Sequence, residues 1–129
     1  MRRQRRQGQT LIEIVVAITI ITMLMSAVGV YALGVYRREQ VRIARTELHS
    51  AASALDMYRA SHGAYPDPGE GFAPVIKARA LKTLPKDPWG HPLLWALKDG
   101  EPVVISLGAD GERGGTDDNA DLTSADLEN

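Results

Sequence analysis

From Ile14 to Tyr36 the sequence runs 23 residues without a charged side chain. The run is rich in Ile, Val, Leu, Met and Ala and holds no proline. A helix needs about 20 apolar residues to cross a bilayer. In hydrocarbon, only a helix or a closed barrel satisfies its own backbone groups. The run therefore predicts a membrane helix, and Gly29 and Gly34 are tolerated in one. Arg2, Arg3, Arg5 and Arg6 precede it, which the positive-inside rule places in the cytoplasm. Arg37 and Arg38 follow on the far side, where Arg37 can snorkel to the interface. A cleaved secretory signal is the rival reading. Its apolar region is about 7–15 residues and ends in a small-residue cleavage site. This run is longer, and no such site closes it cleanly.

Glu13 lies just inside the apolar stretch that begins at Leu11. A carboxylate in the hydrocarbon core costs about 2.5–3.5 kcal/mol on insertion scales. One reading keeps Glu13 wet at headgroup level. The other has it neutralise a positive charge on a neighbouring subunit. A cut after Gly8 would create a suitable amine at Gln9.

The chain has 129 residues, which leaves room for one small domain besides the anchor. Its net charge of −1 excludes a bulk basic nucleic-acid binder. With no cysteine there is no disulfide, thiolate zinc site or cysteine nucleophile.

The helical pattern continues past the charge-free run. Val41, Ala44, Leu48, Ala51, Leu55 and Tyr58 form an apolar stripe at helical spacing, with Arg42, Arg45, Glu47 and Arg59 off it. Nothing between Thr10 and His62 stops a helix, and Gly63 is a suitable terminator. A helix of about 52 residues would be roughly 80 Å long. Residues 63–92 are broken by prolines and glycines, with a short helix expected around Ala73–Ala80. Leu93–Leu97 and Pro102–Leu107 read as strands joined by a turn at Lys98-Asp99-Gly100-Glu101. The sum is an α+β fold: a long N-terminal helix whose second half packs on a small antiparallel sheet. The domains expected are residues 1–8 as a leader, 9–36 as the membrane helix, and 37–129 as the globular part with the amphipathic half-helix.

Gly108 to Asn129 is polar, with Asp110, Glu112, Asp117, Asp118, Asp121, Asp126 and Glu128 opposed only by Arg113. Such a segment stays disordered unless something neutralises it. Calcium takes carboxylate and carbonyl oxygens and suits a Gly-rich loop. An acidic, solvated tail is the alternative. Asp117, Asn119, Asp121 and Glu128 also fall at EF-hand positions, but Leu122 stands where that loop needs glycine.

No catalytic constellation accompanies these features, so no enzyme is expected. His49, His62 and His91 lack a second ligand at metal spacing and read as surface or capping residues. Ser106 is not set in a nucleophile elbow. Gly108, Gly111 and Gly114 match no phosphate-binding fingerprint. Trp89 and Trp95 are expected to pack sheet against helix, and Lys86 and Asp87 to be turn and surface residues.

Gly8-Gln9-Thr10-Leu11-Ile12-Glu13, after an arginine leader and before an apolar helix, resembles the prepilin peptidase site of type IV pilins and type II secretion pseudopilins. Gln9 stands where members usually have phenylalanine, and the mid-helix proline of many members is missing. Leu55-Asp56-Met57-Tyr58-Arg59, Tyr65-Pro66, Leu84-Pro85-Lys86-Asp87-Pro88-Trp89-Gly90 and Ser106-Leu107-Gly108-Ala109-Asp110-Gly111 follow in order. Together they resemble the G-type major pseudopilins of type II secretion, from Gly8 to Leu122.

The resemblance implies a type IV pilin-like fold, cleavage after Gly8, methylation at Gln9 and an assembly role for Glu13. It implies calcium held by the Leu107 carbonyl and by Asp110, Asp117, Asp118 and Asp121, the choice among 117–119 being open. Removing the leader lowers the basic count from 15 to 11 against 16 acidic residues, a net charge of −5. The implied role is the major subunit of a pseudopilus that drives folded proteins through an outer-membrane secretin. Its implied partners are further copies, minor pseudopilins, an inner-membrane assembly platform, prepilin peptidase and membrane lipid. The implied location is the inner membrane of a Gram-negative bacterium, N-terminus cytoplasmic and globular part periplasmic. Two other classes remain: a type IV pilus subunit, and an anchored monomeric periplasmic calcium-binding module. The lack of cysteine speaks against the first, whose major members usually end in a disulfide loop.

Overall fold

A computed structural model describes residues 10–127. Helix α1 (Leu11–His62) leads into a 3-10 turn (Pro68–Glu70) and a short helix α2 (Ala73–Lys77). Strands β1 (Leu94–Lys98) and β2 (Glu101–Ser106) follow, then a 3-10 turn (Asp117–Asn119), strand β3 (Leu122–Thr123) and a last 3-10 turn (Ser124–Leu127). The chain divides into two compact units between Tyr36 and Arg37.

Up to Tyr36 the described chain is helix, and its apolar side chains are exposed, Leu11 at 84% and Met23 at 70%. The most apolar stretch has a mean hydropathy of 2.5 and none of it is buried. Three of its hydroxyl groups bond inside the helix. Thr19 Oγ1 donates to the Val15 carbonyl at 2.7 Å, Ser26 Oγ to the Thr22 carbonyl at 2.8 Å, and Thr22 Oγ1 to the Ile18 carbonyl. These polar groups thus present nothing unsatisfied to an apolar solvent. By length and composition the helix is able to cross a membrane.

From Arg37 onward the helix has one buried side. Ala44, Leu48, Ala51 and Leu55 of the expected stripe are buried, and Ala54 joins them. Leu48 to Leu55 form one core cluster with Phe72, Val75, Leu93, Trp95 and Val104. Burying each large apolar side chain contributes about 1.5–3 kcal/mol. Trp95 pairs with Val104 across β1 and β2, and its Nε1 donates to the Gly71 carbonyl at 2.9 Å. Gly63 ends α1 at φ 83°, its N–H bonded to the Arg59 carbonyl at 2.7 Å.

The sheet is antiparallel in the order β1-β2-β3. The expected hairpin turn is present, with Asp99 at φ 54° and Gly100 at φ 84°, as a two-residue connection requires. Several details differ from expectation. Helix α2 stops at Lys77 rather than Ala80, because Arg79 turns left-handed at φ 62° and the Ala80 and Leu81 N–H groups both turn back to the Val75 carbonyl. Leu93 is not in β1, because its N–H goes to the Pro85 carbonyl at 3.0 Å. Strand β3 was not expected. Its two residues are too short to show a period, yet they pair Ile105 with Thr123 and Ser106 with Leu122. Trp95 packs in the core as expected, whereas Trp89 is half-buried and outside the core cluster.

Leu55 is fully buried in this cluster, whereas Met57 on the same helix is 63% exposed. Leu55→Ala is expected to lower unfolding free energy by about 2–5 kcal/mol. Met57→Ala should stay within about 0.5 kcal/mol of the wild type. Denaturant unfolding of the full chain in detergent micelles, followed by tryptophan fluorescence, measures both.

Candidate functional site

Two regions carry the residues singled out from sequence. The first is the start of α1. Gly8 and Gln9 lie outside the described residues. Glu13 sits in the first turn, its N–H bonded to the Thr10 carbonyl at 3.0 Å and its side chain exposed. A carboxylate there faces the positive end of the helix dipole, a stabilising placement.

The second region is the acidic segment after β2. It is folded through backbone contacts, although acid-rich composition alone predicts disorder. Ala109 N–H donates to the Asp118 carbonyl at 2.8 Å, tying the 107–110 strand end to the 117–121 side. Leu122 packs against the core, and Ser124 Oγ accepts the Val104 N–H at 2.9 Å. Two glycines make the fold-back possible. A Cβ on Gly108 would lie 2.8 Å from the Asn119 carbonyl carbon, and one on Gly115 2.5 Å from the Asn119 oxygen. Both glycines have positive φ.

The aspartates differ in their surroundings. Asp110 is exposed and accepts the Glu112 N–H at 3.1 Å. Asp117 is exposed at φ 54°. Asp118 is half-buried and pairs with Arg37 Nε at 2.9 Å. Asp121 accepts the Gly114 N–H on Oδ2 at 3.1 Å, while its Oδ1 is buried with no hydrogen-bond partner. Among the described residues, no three acidic or histidine side chains already converge as a metal cluster. The loop does bring Leu107 and Asp110 onto the same fold-back as Asp118 and Asp121. Its donors are carboxylates and carbonyls, the set that a hard divalent cation takes. An unpartnered buried carboxylate oxygen is costly in a folded chain, and a cation would satisfy it. The residues present therefore fit calcium, with Asp118 the one already committed to another cation.

Two residues set aside from sequence turn out to matter here. Asp87 is not a surface residue: its side chain is 0% exposed. It accepts His91 N–H on Oδ1 and Ser106 Oγ–H on Oδ2, both at 2.8 Å. His91 is half-buried, and its Nδ1 lies 3.1 Å from the Gly108 carbonyl oxygen. Nothing in the local spacing of a single Asp or His reveals such pairing. The only sequence signal is the tight Pro85–Pro92 block, which demands a buried turn partner.

Charge along the helix is organised as well. Arg42 donates to Glu39 through Nε at 3.0 Å and Nη2 at 2.7 Å. That hydrogen bonding holds the Glu39 carboxyl below its usual range. The pair is exposed, as is Arg37, so neither contact adds much to stability alone.

Gly115→Ala adds a methyl group against the Asn119 oxygen and strains a left-handed backbone. It should destabilise the chain by about 1–3 kcal/mol. Gly114→Ala meets no atom within 4 Å and pays only the backbone strain at φ 92°. Unfolding midpoints of the two variants, compared under one condition, should rank Gly115→Ala lower.

Comparison with known proteins bears on both regions. Residues 31–125 match the family described as type II secretion system, protein G. Residues 3–29 match the prokaryotic N-terminal methylation motif, a span that includes Gly8, Gln9 and Glu13. The chain is 33% identical to the type II secretion system core protein G of Pseudomonas aeruginosa, covering 98% of this chain and 99% of that protein. It is 32% identical to the Vibrio cholerae core protein G, covering 95% and 94%. The Escherichia coli core protein G is 32% identical, covering 88% and 89%. With most of its length matched by the family pattern and nearly all of it by individual members, the chain belongs to the type II secretion system protein G family.

Proposed function

We propose that this chain is the major structural subunit of a type II secretion pseudopilus. The observation that carries the reading is a helix whose apolar surface up to Tyr36 is left exposed, in a chain of the protein G family. A surface of that size needs lipid or other helices around it. Before assembly it would lie in the inner membrane as a single span, its N-terminus cytoplasmic and its globular unit periplasmic. In the filament it would exchange lipid for the helices of other copies.

The role of each residue follows from that exchange. Prepilin peptidase would cut after Gly8 and expose an amine on Gln9, the methylation site. Glu13 of an incoming copy would pair with the amine of a neighbouring copy, because a carboxylate in an apolar bundle needs a positive partner. The pair would set the axial register of each added subunit. Growth from an assembly platform, with minor pseudopilins as further partners, would move folded cargo toward an outer-membrane secretin. No catalytic step belongs to the chain in this role.

Calcium is part of the proposal. The Leu107 carbonyl, Asp110, Asp117 and Asp121 would hold it, and Asp118 would add to them only on leaving Arg37. When bound, the ion would supply positive charge to the buried Asp121 oxygen, and Asp121 and Leu107 would be drawn together across the loop.

Glu13→Ala is expected to insert in the membrane and fold like the wild type, yet to give no filaments by electron microscopy after co-expression with the secretion machinery. Filaments at the wild-type level would remove the assembly role of Glu13. A wild-type chain that stays monomeric under the same co-expression would favour the anchored calcium-binding module instead.

Thermal unfolding of the full chain in detergent micelles tests the ion. Calcium at about a hundredfold over its dissociation constant stabilises by about 2.7 kcal/mol. For a domain of this size that is a midpoint rise of roughly 10 °C or more over excess chelator. The rise should vanish in Asp121→Ala. An unchanged wild-type midpoint would make the acidic segment a solvated loop.

A further inference from the structure

We propose that Asp87, Ser106 and His91 act as a positioning clamp that pre-sets the Leu107 carbonyl for calcium. The inference rests on the calcium reading above and concerns residues that do not themselves touch the ion.

Consider the two peptide units that follow Leu107. The Leu107 carbonyl and the Gly108 N–H belong to one planar group, so holding either end orients the other. Gly108 N–H donates to Ser106 Oγ at 3.4 Å. The next unit joins the Gly108 carbonyl to the Ala109 N–H. His91 Nδ1 donates to that carbonyl at 3.1 Å, and the Ala109 N–H donates to the Asp118 carbonyl at 2.8 Å. A carbonyl only accepts, so Nδ1 carries the hydrogen. Both planes after Leu107 are therefore pinned.

Each pinning residue is itself held by one buried aspartate. Ser106, fully buried at the end of β2, uses its only hydroxyl hydrogen on Asp87 Oδ2 at 2.8 Å. That leaves its oxygen lone pairs to accept from Gly108. His91 is fixed through its backbone, whose N–H donates to Asp87 Oδ1 and whose carbonyl accepts the Asp87 N–H at 2.9 Å. The imidazole ring also lies against Gly111, where an added Cβ would come within 2.9 Å of Nε2. One carboxylate thus organises the Pro85–Pro92 turn, the end of β2 and the start of the acidic loop.

A carbonyl ligand binds well only if it is aimed before the ion arrives, and partners one step behind the ligands commonly set metal affinity by 10–100-fold. The clamp also explains why a carboxylate is buried at position 87 in a loop with no chemistry of its own. That carboxylate accepts two hydrogen bonds, from the His91 N–H and from the hydroxyl of Ser106, the residue next to a proposed ligand.

The test uses the full chain in detergent micelles, titrated with calcium chloride in a calorimeter. Ser106→Ala removes the acceptor for Gly108. His91→Phe keeps a ring against Gly111 but removes the donor. Both are expected to weaken the calcium dissociation constant by about tenfold. Leu55→Ala, in the core and outside the loop, serves as the stability control. It should lower the unfolding midpoint in chelator yet leave the calcium affinity unchanged. Wild-type affinity in both clamp variants, or an equal loss in Leu55→Ala, overturns the clamp while leaving the calcium reading intact. No binding by the wild-type chain, or full binding by Asp121→Ala, overturns the calcium site and the clamp with it.

Discussion

Backbone hydrogen bonding in an apolar surrounding is the constraint from which the rest follows. In hydrocarbon a single charge-free run of this length satisfies its peptide groups within itself by becoming a helix. Once that helix exists it has no reason to stop at Tyr36. No proline or glycine pair interrupts the sequence before Gly63, and α1 continues to His62. The globular unit is built around the part of that helix that follows Arg37. Leu48, Ala51, Ala54 and Leu55 present one side, and Phe72, Val75, Leu93, Trp95 and Val104 close over it. Among the described residues the sheet has three strands, one of them only two residues long, so it is little more than a hairpin, which is marginal alone. Packing against a helix whose conformation is already determined makes so small a sheet sufficient.

Much of this frame was legible in the residues. The stripe from Val41 to Tyr58 has helical spacing, and four of its members are buried. The glycine after the helix and the Asp99-Gly100 turn are local signals, and local signals survive folding. What could not be read depends on partners distant in sequence. Strand β3 exists because β2 offers it an edge, and two residues carry no period of their own. Helix α2 is shortened by the left-handed turn at Arg79, a residue with no propensity that announces it. Asp87 looks like a turn residue, and its burial follows from Ser106 and His91 closing on it.

The acidic segment shows the same limit at the candidate site. Composition predicted a loop disordered unless something neutralises its charges. Backbone pairing across 109 and 118, and the glycines that allow it, fold the segment back on itself. The family resemblance pointed to Asp110 and Asp121 and left the choice among 117–119 open. The structure distinguishes them: Asp118 is committed to Arg37, whereas Asp121 keeps an oxygen buried and unpartnered. Arg37, expected from sequence to reach the membrane interface, pairs with Asp118 and so sets it apart from the other aspartates.

The bond between the Val104 N–H and Ser124 Oγ has a consequence for the order in which the chain is made. Val104 is at the heart of the core, yet its backbone donor is satisfied by a residue translated twenty positions later. Strand β2 likewise waits for Leu122 and Thr123 to complete its second edge. Helix α1 forms from local contacts, whereas the second edge of β2 can pair only once residues 122–124 have been made. Local structure is fast and long-range pairing is slow. Helix α1 can therefore form before the globular unit closes around its second half.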